Sequence, residues 1–305
     1  MSKLRIKNRN IIIVIILLIV FLQTSAIHAE TEETKLYRQG STYCMQGQWR
    51  QAVSSFKELL EKYPSTRHAD ARFWMAYSYI EMGQYYVGIS QLEKFASAYP
   101  ASPYAPQALF MVGEVYEKRL CDYEKALKSY ERVVQNYPQN FASLSAAQNQ
   151  AVIYESQKKF EKAIKSSEEQ MSLAQTQGIS PTSPYVTRAN DRISFIKAND
   201  DFHYVPLKMY GDAQKLESDN KLYEALAGYK AILHKYPSAK ICDDASFRII
   251  VIYQALGKKN LIETEASNFL KKYPGSPYKS QVQEIMNQIM KNRGEFYKPP
   301  KIYYV

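Results

Sequence analysis

The side chains with most scope for chemistry in this chain are four histidines, three cysteines and 30 carboxylates. A metal centre or a nucleophilic site would need several of them at short, fixed spacings, as in HExxH or CxxC. No such motif occurs, and neither does a Gly-rich phosphate loop. His68, His203 and His234 stand far apart, so no two can chelate from one helix face. His68 falls at a junction between segments. His234 falls in the last turn of an expected helix, where a cation suits the dipole. Lys and Glu interleave along the chain, the pattern of solvated helix faces, and do not form a nucleic-acid patch. The expectation is no catalytic residue, no metal site, no cofactor, no small-molecule substrate and no nucleic acid. At 46% hydrophobic and 23% charged residues, the composition is that of an ordinary folded chain and excludes wholesale disorder. One number stands out: 26 tyrosines.

The N-terminus carries an address. Lys3, Arg5, Lys7 and Arg9 precede an unbroken apolar run from Ile11 to Leu22, followed by the small and polar stretch Gln23–Ala29. The run is 12 residues long, whereas a membrane span needs about 20. Residues 1–29 are therefore expected to be a signal peptide cleaved near Ala26 or Ala29, which weighs against a retained anchor. The mature chain, at +6, would be periplasmic or secreted, meeting a membrane only through its partners.

Tyr-Pro recurs at Tyr63, Tyr99, Tyr137, Tyr236 and Tyr273, with spacings of 36, 38, 99 and 37 residues. A period in the high thirties marks stacked supersecondary units. Within each period, apolar and small residues fall three and four apart on both sides of a tight turn, which predicts two helices. The first helix carries a small residue at Gly40, Ala76, Gly113, Ala151 and Ala213. A bulky one follows three later at Tyr43, Tyr79, Tyr116, Tyr154 and Leu216, with Tyr253 in the sixth unit. After the turn come Ala52, Gly88, Ala126, Ala163 and Ala225, and four residues beyond them Phe56, Leu92, Tyr130, Ser167 and Tyr229. The turns read Gly47-Gln48-Trp49, Gly83-Gln84-Tyr85, Cys121-Asp122-Tyr123 and Lys158-Lys159-Phe160. Small residues let paired helices approach and bulky ones fill the space around the contact. Much of the tyrosine surplus is repeated packing.

This ladder resembles the tetratricopeptide repeat (TPR), matched by Gly40, Tyr43, Ala52, Phe56 and Pro64. Six units lie at about 35–64, 65–100, 101–138, 139–176, 206–237 and 238–274, the sixth departing most at Ile250, Ile262 and Ala266. The junctions Tyr99-Pro100-Ala101-Ser102-Pro103-Tyr104 and Tyr273-Pro274-Gly275-Ser276-Pro277-Tyr278 are expected to begin helices at their Ser-Pro. They are similar to the bacterial cell-envelope subtype. That group contains the D lipoprotein of the outer-membrane β-barrel assembly machine and the Tol–Pal-associated periplasmic coordinator. Two features differ from those proteins: no lipid-acceptor Cys follows the leader, and no heptad segment precedes the first repeat. The resemblance implies an all-α solenoid of helical hairpins, a right-handed superhelix, acting as a non-enzymatic scaffold. Its expected partners are envelope proteins or peptide segments of them, in outer-membrane protein assembly or envelope and division coordination.

The gap of 99 residues suits neither two repeats nor three. A breaker-rich stretch, Gly178 to Ser183, precedes a single helix expected from Pro184 to Lys197. Its opening matches Ser276-Pro277-Tyr278, ahead of a last helix ending near Asn292. Solenoids need capping helices with a polar outer face. The reading is two capped arrays: residues 30–199 with four repeats and a cap, and 200–293 with two repeats and a cap, before a tail at 294–305. One continuous superhelix with an inserted helix is the alternative. Cys44, Cys121 and Cys242 fall in non-adjacent repeats, so three free thiols are expected, at least one of them buried.

Function then falls to a surface. Along one side of the first helices lie Tyr37 and Ser41, Phe73 and Tyr77, Phe110 and Glu114, Gln148, Tyr210 and Phe247. In the repeat family this concave face usually holds ligands, and its aromatics could anchor an extended peptide or a helix. Equally, those aromatics could only pack between adjacent helices. A glycan- or peptidoglycan-binding module is the alternative function, favoured if Trp49 and Trp74 share an exposed cleft. The aromatic tail Gly294–Val305 reads either as a docking segment or as a frayed end.

Overall fold

The computed structural model describes residues 31–64 and 69–292; the leader, His68 and the tail lie outside the described residues. Among the described residues the fold is all-α, with fourteen α-helices and no strand. Six helical hairpins follow one another. They are α1 (Glu32–Met45) and α2 (Trp49–Lys62), α3 (Ala69–Glu81) and α4 (Tyr85–Ala98), then α5 (Ala105–Lys118) and α6 (Tyr123–Asn136). After them come α7 (Phe141–Ser156) and α8 (Phe160–Thr176), α10 (Val205–Ser218) and α11 (Leu222–Lys235), then α12 (Cys242–Ala255) and α13 (Lys259–Lys272). Two helices stand single, α9 (Pro184–Ala198) and α14 (Lys279–Asn292). Second helices also pack on the helix that follows: α2 on α3, α4 on α5, α8 on α9, α11 on α12 and α13 on α14. This is the solenoid principle, in which each hairpin hides its apolar side against its neighbours.

The turn inside every hairpin has one geometry. Gly47, Gly83, Cys121, Lys158, Asn220 and Gly257 take φ between +52° and +77°. The next residue's N–H then donates to the carbonyl of Tyr43, Tyr79, Tyr116, Tyr154, Leu216 or Tyr253 at 2.8–2.9 Å, closing the first helix. Three turns use glycine, and three hold an L-residue in the left-handed region against its preference. The close approach inside hairpins is equally concrete. A Cβ at Gly40 would sit 2.5 Å from the Phe56 ring, and one at Gly113 would sit 2.5 Å from the Tyr130 ring.

The Ser-Pro junctions differ from expectation at two of three places. Ser183 does cap α9, accepting from the Val186 N–H, with Pro184 in the first turn. Ser102 and Ser276 instead accept from the N–H groups of Tyr104 and Tyr278 at 3.3 Å, in turns ahead of α5 and α14. Leaving those tyrosines outside the helix frees their rings to stack: Tyr104 on Phe73 (5.0 Å, 21°) and Tyr278 on Phe247 (4.3 Å, 6°). In α13 the buried bulky residue is Phe269, one turn beyond the Ala266 at which the repeat pattern departed.

The chain divides into two compact units, Met1–Ala146 and Ala147–Val305, the division falling within α7. The boundary expected from the sequence lies near residue 200. There the packing is continuous: Ile196 of α9 shares one buried cluster with Phe160 and Ala163 of α8 and with Leu207 and Tyr210 of α10. At the end of the second unit, α14 buries Val282, Met286 and Ile289 and exposes Gln281, Glu284, Asn287, Gln288 and Lys291. That polar outer face is what a terminal helix of a stacked array requires.

Candidate functional site

The nine residues expected on a docking face separate into core and surface. Phe73 and Tyr210, at 3% and 4% exposure, are core residues, a correction to their placement on an open face. Phe73 is enclosed by Phe95, Trp74 and Tyr104, and Tyr210 lies against Tyr229 and Phe195. Tyr37, Ser41, Tyr77, Phe110, Glu114, Gln148 and Phe247 are partly exposed. Most of these also work internally. Tyr37 Oη donates to Asp70 of the next hairpin at 2.5 Å, and burial together with that carboxylate pushes its pKa up to about 12. Ser41 Oγ donates to the Tyr37 carbonyl at 2.9 Å. Phe110 meets Tyr130, and Glu114 pairs with Lys118 one turn along its helix. Phe247 is the partner of Tyr278 in the closest ring stack. These aromatics therefore pack within a hairpin or onto the repeat beside it.

Within the first unit, Tyr77 gathers both tryptophans of the chain. Trp49, opening α2, meets it edge-on at 5.6 Å, and Trp74 does so at 5.8 Å. All three rings are partly exposed. Burial, and then Glu81 beside it, raises the Tyr77 phenol above its ordinary range.

The second unit holds a cavity of about 600 Å³ bounded by the α7–α8 turn, the C-terminal half of α9, and α10. Its apolar wall is Val152, Phe160, Phe195, Ile196, Leu207 and Tyr210, and its polar rim includes Glu155, Lys158, Asp212 and Lys215. Lys158 pairs with Asp212 and Arg192 with Glu155, and among the described residues Lys215 on the rim has no acidic partner. Gly211 lines the opening, and a Cβ there would meet nothing within 4 Å. The volume and the mixed lining suit an apolar group held by a few polar contacts. Of the nine expected residues, only Tyr210 reaches this cavity. The sequence signal for the remainder was Gly211, a glycine inside a helix at a cost of about 1 kcal/mol against alanine. The cavity exists because α9 interrupts the regular stacking.

Cys44, Cys121 and Cys242 are free thiols, respectively half-buried, exposed and buried. Cys242 Sγ donates to the Tyr236 carbonyl at 3.1 Å, and burial raises its pKa. Among the described residues no group of three or more His, Cys, Asp or Glu converges as a metal site. No described helix is long and apolar enough to cross a membrane.

The repeated hairpins, their shared turn and their packing define a TPR-type repeat protein of the bacterial envelope group. Residues 29–199, more than half of the chain, match the model of the YfiO family, described as outer membrane lipoprotein, and the chain belongs to that family. No curated protein matches it. Similar solved structures include MamA, at 18% identity over 51% of this chain and 86% of that one, with a TM-score of 0.40. Another is a tetratricopeptide repeat protein from Parabacteroides merdae, at 13% identity over 85% and 98%, with a TM-score of 0.47. A third is the TPR2AB domain of yeast Sti1 in complex with pHSP90, at 13% identity over 84% and 98%, with a TM-score of 0.32.

Proposed function

We propose that the chain is an exported, non-enzymatic scaffold that holds peptide or helical segments of cell-envelope proteins, in outer-membrane protein assembly or in coordinating the envelope at division. Its family description supports the compartment. The observation that carries the docking role is the cavity beside α10, with an apolar floor, a charged rim and open space over Gly211. An apolar side chain of a bound segment fills the floor while its backbone and flanking groups meet Lys215 and the rim. The partly exposed Tyr37, Ser41, Tyr77, Phe110, Glu114, Gln148 and Phe247 extend the contact surface, with Phe73 and Tyr210 as buried supports. Because a Cβ at Gly211 meets nothing within 4 Å, Gly211→Phe directs its ring into the opening. In crosslinked affinity capture from the envelope, this variant is expected to lose the wild-type partner with its helical circular dichroism unchanged. Retention of that partner would exclude the cavity.

One observation favours a second reading, a glycan- or peptidoglycan-binding module: both tryptophans lie against Tyr77, partly exposed. Since the chain has no other tryptophan, its tryptophan emission, excited at the red edge where tyrosine does not absorb, reports on that patch alone. Soluble peptidoglycan fragments should shift or quench it, and an unchanged spectrum at saturating fragment removes this reading.

A further inference from the structure

α9 occupies the seat of a first helix without belonging to a hairpin. Arg192 Nε donates to Glu155 Oε2 at 2.8 Å, as Arg248 Nε of α12 donates to Glu217 Oε2 at 3.0 Å. Glu155 and Glu217 hold the same place in their repeats, four residues after Ala151 and Ala213. The two seats are otherwise unlike. α12 buries Cys242, Ala245, Ile249, Ile250, Ile252 and Tyr253, whereas α9 buries only Val186, Ala189 and Ile196.

The helix beneath α9 is polar where its counterparts are apolar. Ser167 lies where other repeats place Phe56, Leu92, Tyr130 and Tyr229, and both it and Gln170, one turn on, are 0% exposed. Gln170 Nε2 donates to the Tyr185 carbonyl in the first turn of α9 at 2.8 Å. Yet Gln170 Oε1, Ser167 Oγ and Arg192 Nη1 are buried without a partner among the described residues. Each has given up water and gained nothing in return.

The joint from α9 into α10 is strained. Phe202, His203 and Tyr204 take φ of +50°, +53° and +60°, three consecutive L-residues in the left-handed region. They are held by the Lys240 N–H donating to Asp201 Oδ2 at 2.8 Å, by Lys240 Nζ on Asp200 at 3.0 Å, and by the Phe202 ring against Tyr236 at 5.2 Å. The other end of α9 follows the Gly178–Ser183 connection, where Gly178 has φ +67°.

We propose that α9 is a displaceable strap over the cavity. Lifting it returns Gln170, Ser167 and Arg192 to water, relaxes the left-handed joint and gives up the burial of Val186, Ala189 and Ile196, fewer buried side chains than the α12 seat holds. It also removes the Phe195 and Ile196 wall, converting the cavity into an open groove along α8 and α10. The use of that groove rests on the docking role proposed above; the opening does not.

Hydrogen exchange read by mass spectrometry on the full chain, without any partner, tests the strap. Protection factors across 184–198 are expected to be at least tenfold lower than across 242–255, where a full repeat sits on the equivalent seat. His203→Gly, at an exposed position, removes left-handed strain and should raise α9 protection several-fold while leaving α12 unchanged. Ser167→Ala should do the same by removing one of the unpartnered atoms. Equal protection of α9 and α12 in the wild type, both exchanging only through global unfolding, would overturn the proposal. If α9 opens but Gly211→Phe still captures the partner, the docking role fails and the strap stands.

Discussion

At the scale of single residues, buried polar atoms follow a rule inside the repeat. Where the bulky residue of the second helix is Tyr130 or Tyr229, its hydroxyl donates to Glu117 at 2.6 Å or Glu217 at 2.9 Å. Where that residue is Phe56 or Leu92, the facing position holds Cys44 or Ile80 and no carboxylate. In these four repeats the hydroxyl and its acceptor occur together because either alone would be buried unsatisfied; in the fourth repeat of the chain, Ser167 replaces the tyrosine and Glu155 accepts from Arg192 instead. Asp244 shows the opposite economy. Tyr278 Oη donates to it at 2.7 Å, but burial still raises its carboxyl above the ordinary carboxylate range. With the folded pKa above the unfolded one, its contribution to stability is complete below the unfolded pKa and is lost as pH rises through the raised value. Asp244→Asn keeps an acceptor for Tyr278 and removes the charge. It is expected to raise the melting temperature at neutral pH and to show no such gain below about pH 4, near the unfolded carboxylate value, in thermal circular dichroism.

At the scale of elements, hairpin identity was legible because small residues, bulky residues and breakers recur together. The predicted helix over 184–197 and the last helix ending at Asn292 agree with α9 and α14 to within a few residues. The Ser-Pro starts were read wrongly at Ser102 and Ser276 because a capping serine can close a turn as readily as a helix. What settles the matter is the stacking of Tyr104 and Tyr278 on rings from the preceding repeat, which local sequence does not contain. The close hairpin contact supplies a direct test. Gly40→Ala drives a methyl into the Phe56 ring, which is 0% exposed and has no room to retreat. The substitution should cost about 1–3 kcal/mol in urea unfolding despite the better helix propensity of alanine. A neutral or stabilising result would mean that the ring yields.

At the scale of the whole molecule, stability should be passed only between neighbours, since within each unit a hairpin packs on the helix that follows it. Met286 of α14, at 3% exposure, packs toward α13 within the second unit. Met286→Asp places a carboxylate there without a partner and should strip hydrogen-exchange protection from α13 and α14 first. Protection across α1–α6 should stay at its wild-type level. Loss of protection everywhere at once would contradict linear stacking.

The sequence by itself determined the hairpins, their period, their turns and the small-to-bulky packing inside each. Those features arise from contacts among residues fewer than about 40 apart in the chain, so a repeated local pattern encodes them directly. Only the tertiary structure decided which aromatics are buried against a neighbouring repeat and which stay partly exposed. Phe73 and Tyr77 sit four apart on one helix, yet the first is core and the second partly exposed. The tertiary structure also decided that packing continues through residue 200, and that a cavity lies between α9, α10 and the α7–α8 turn. Such outcomes depend on what the next layer brings into contact, and a helical period records the face a residue shares but not what covers that face.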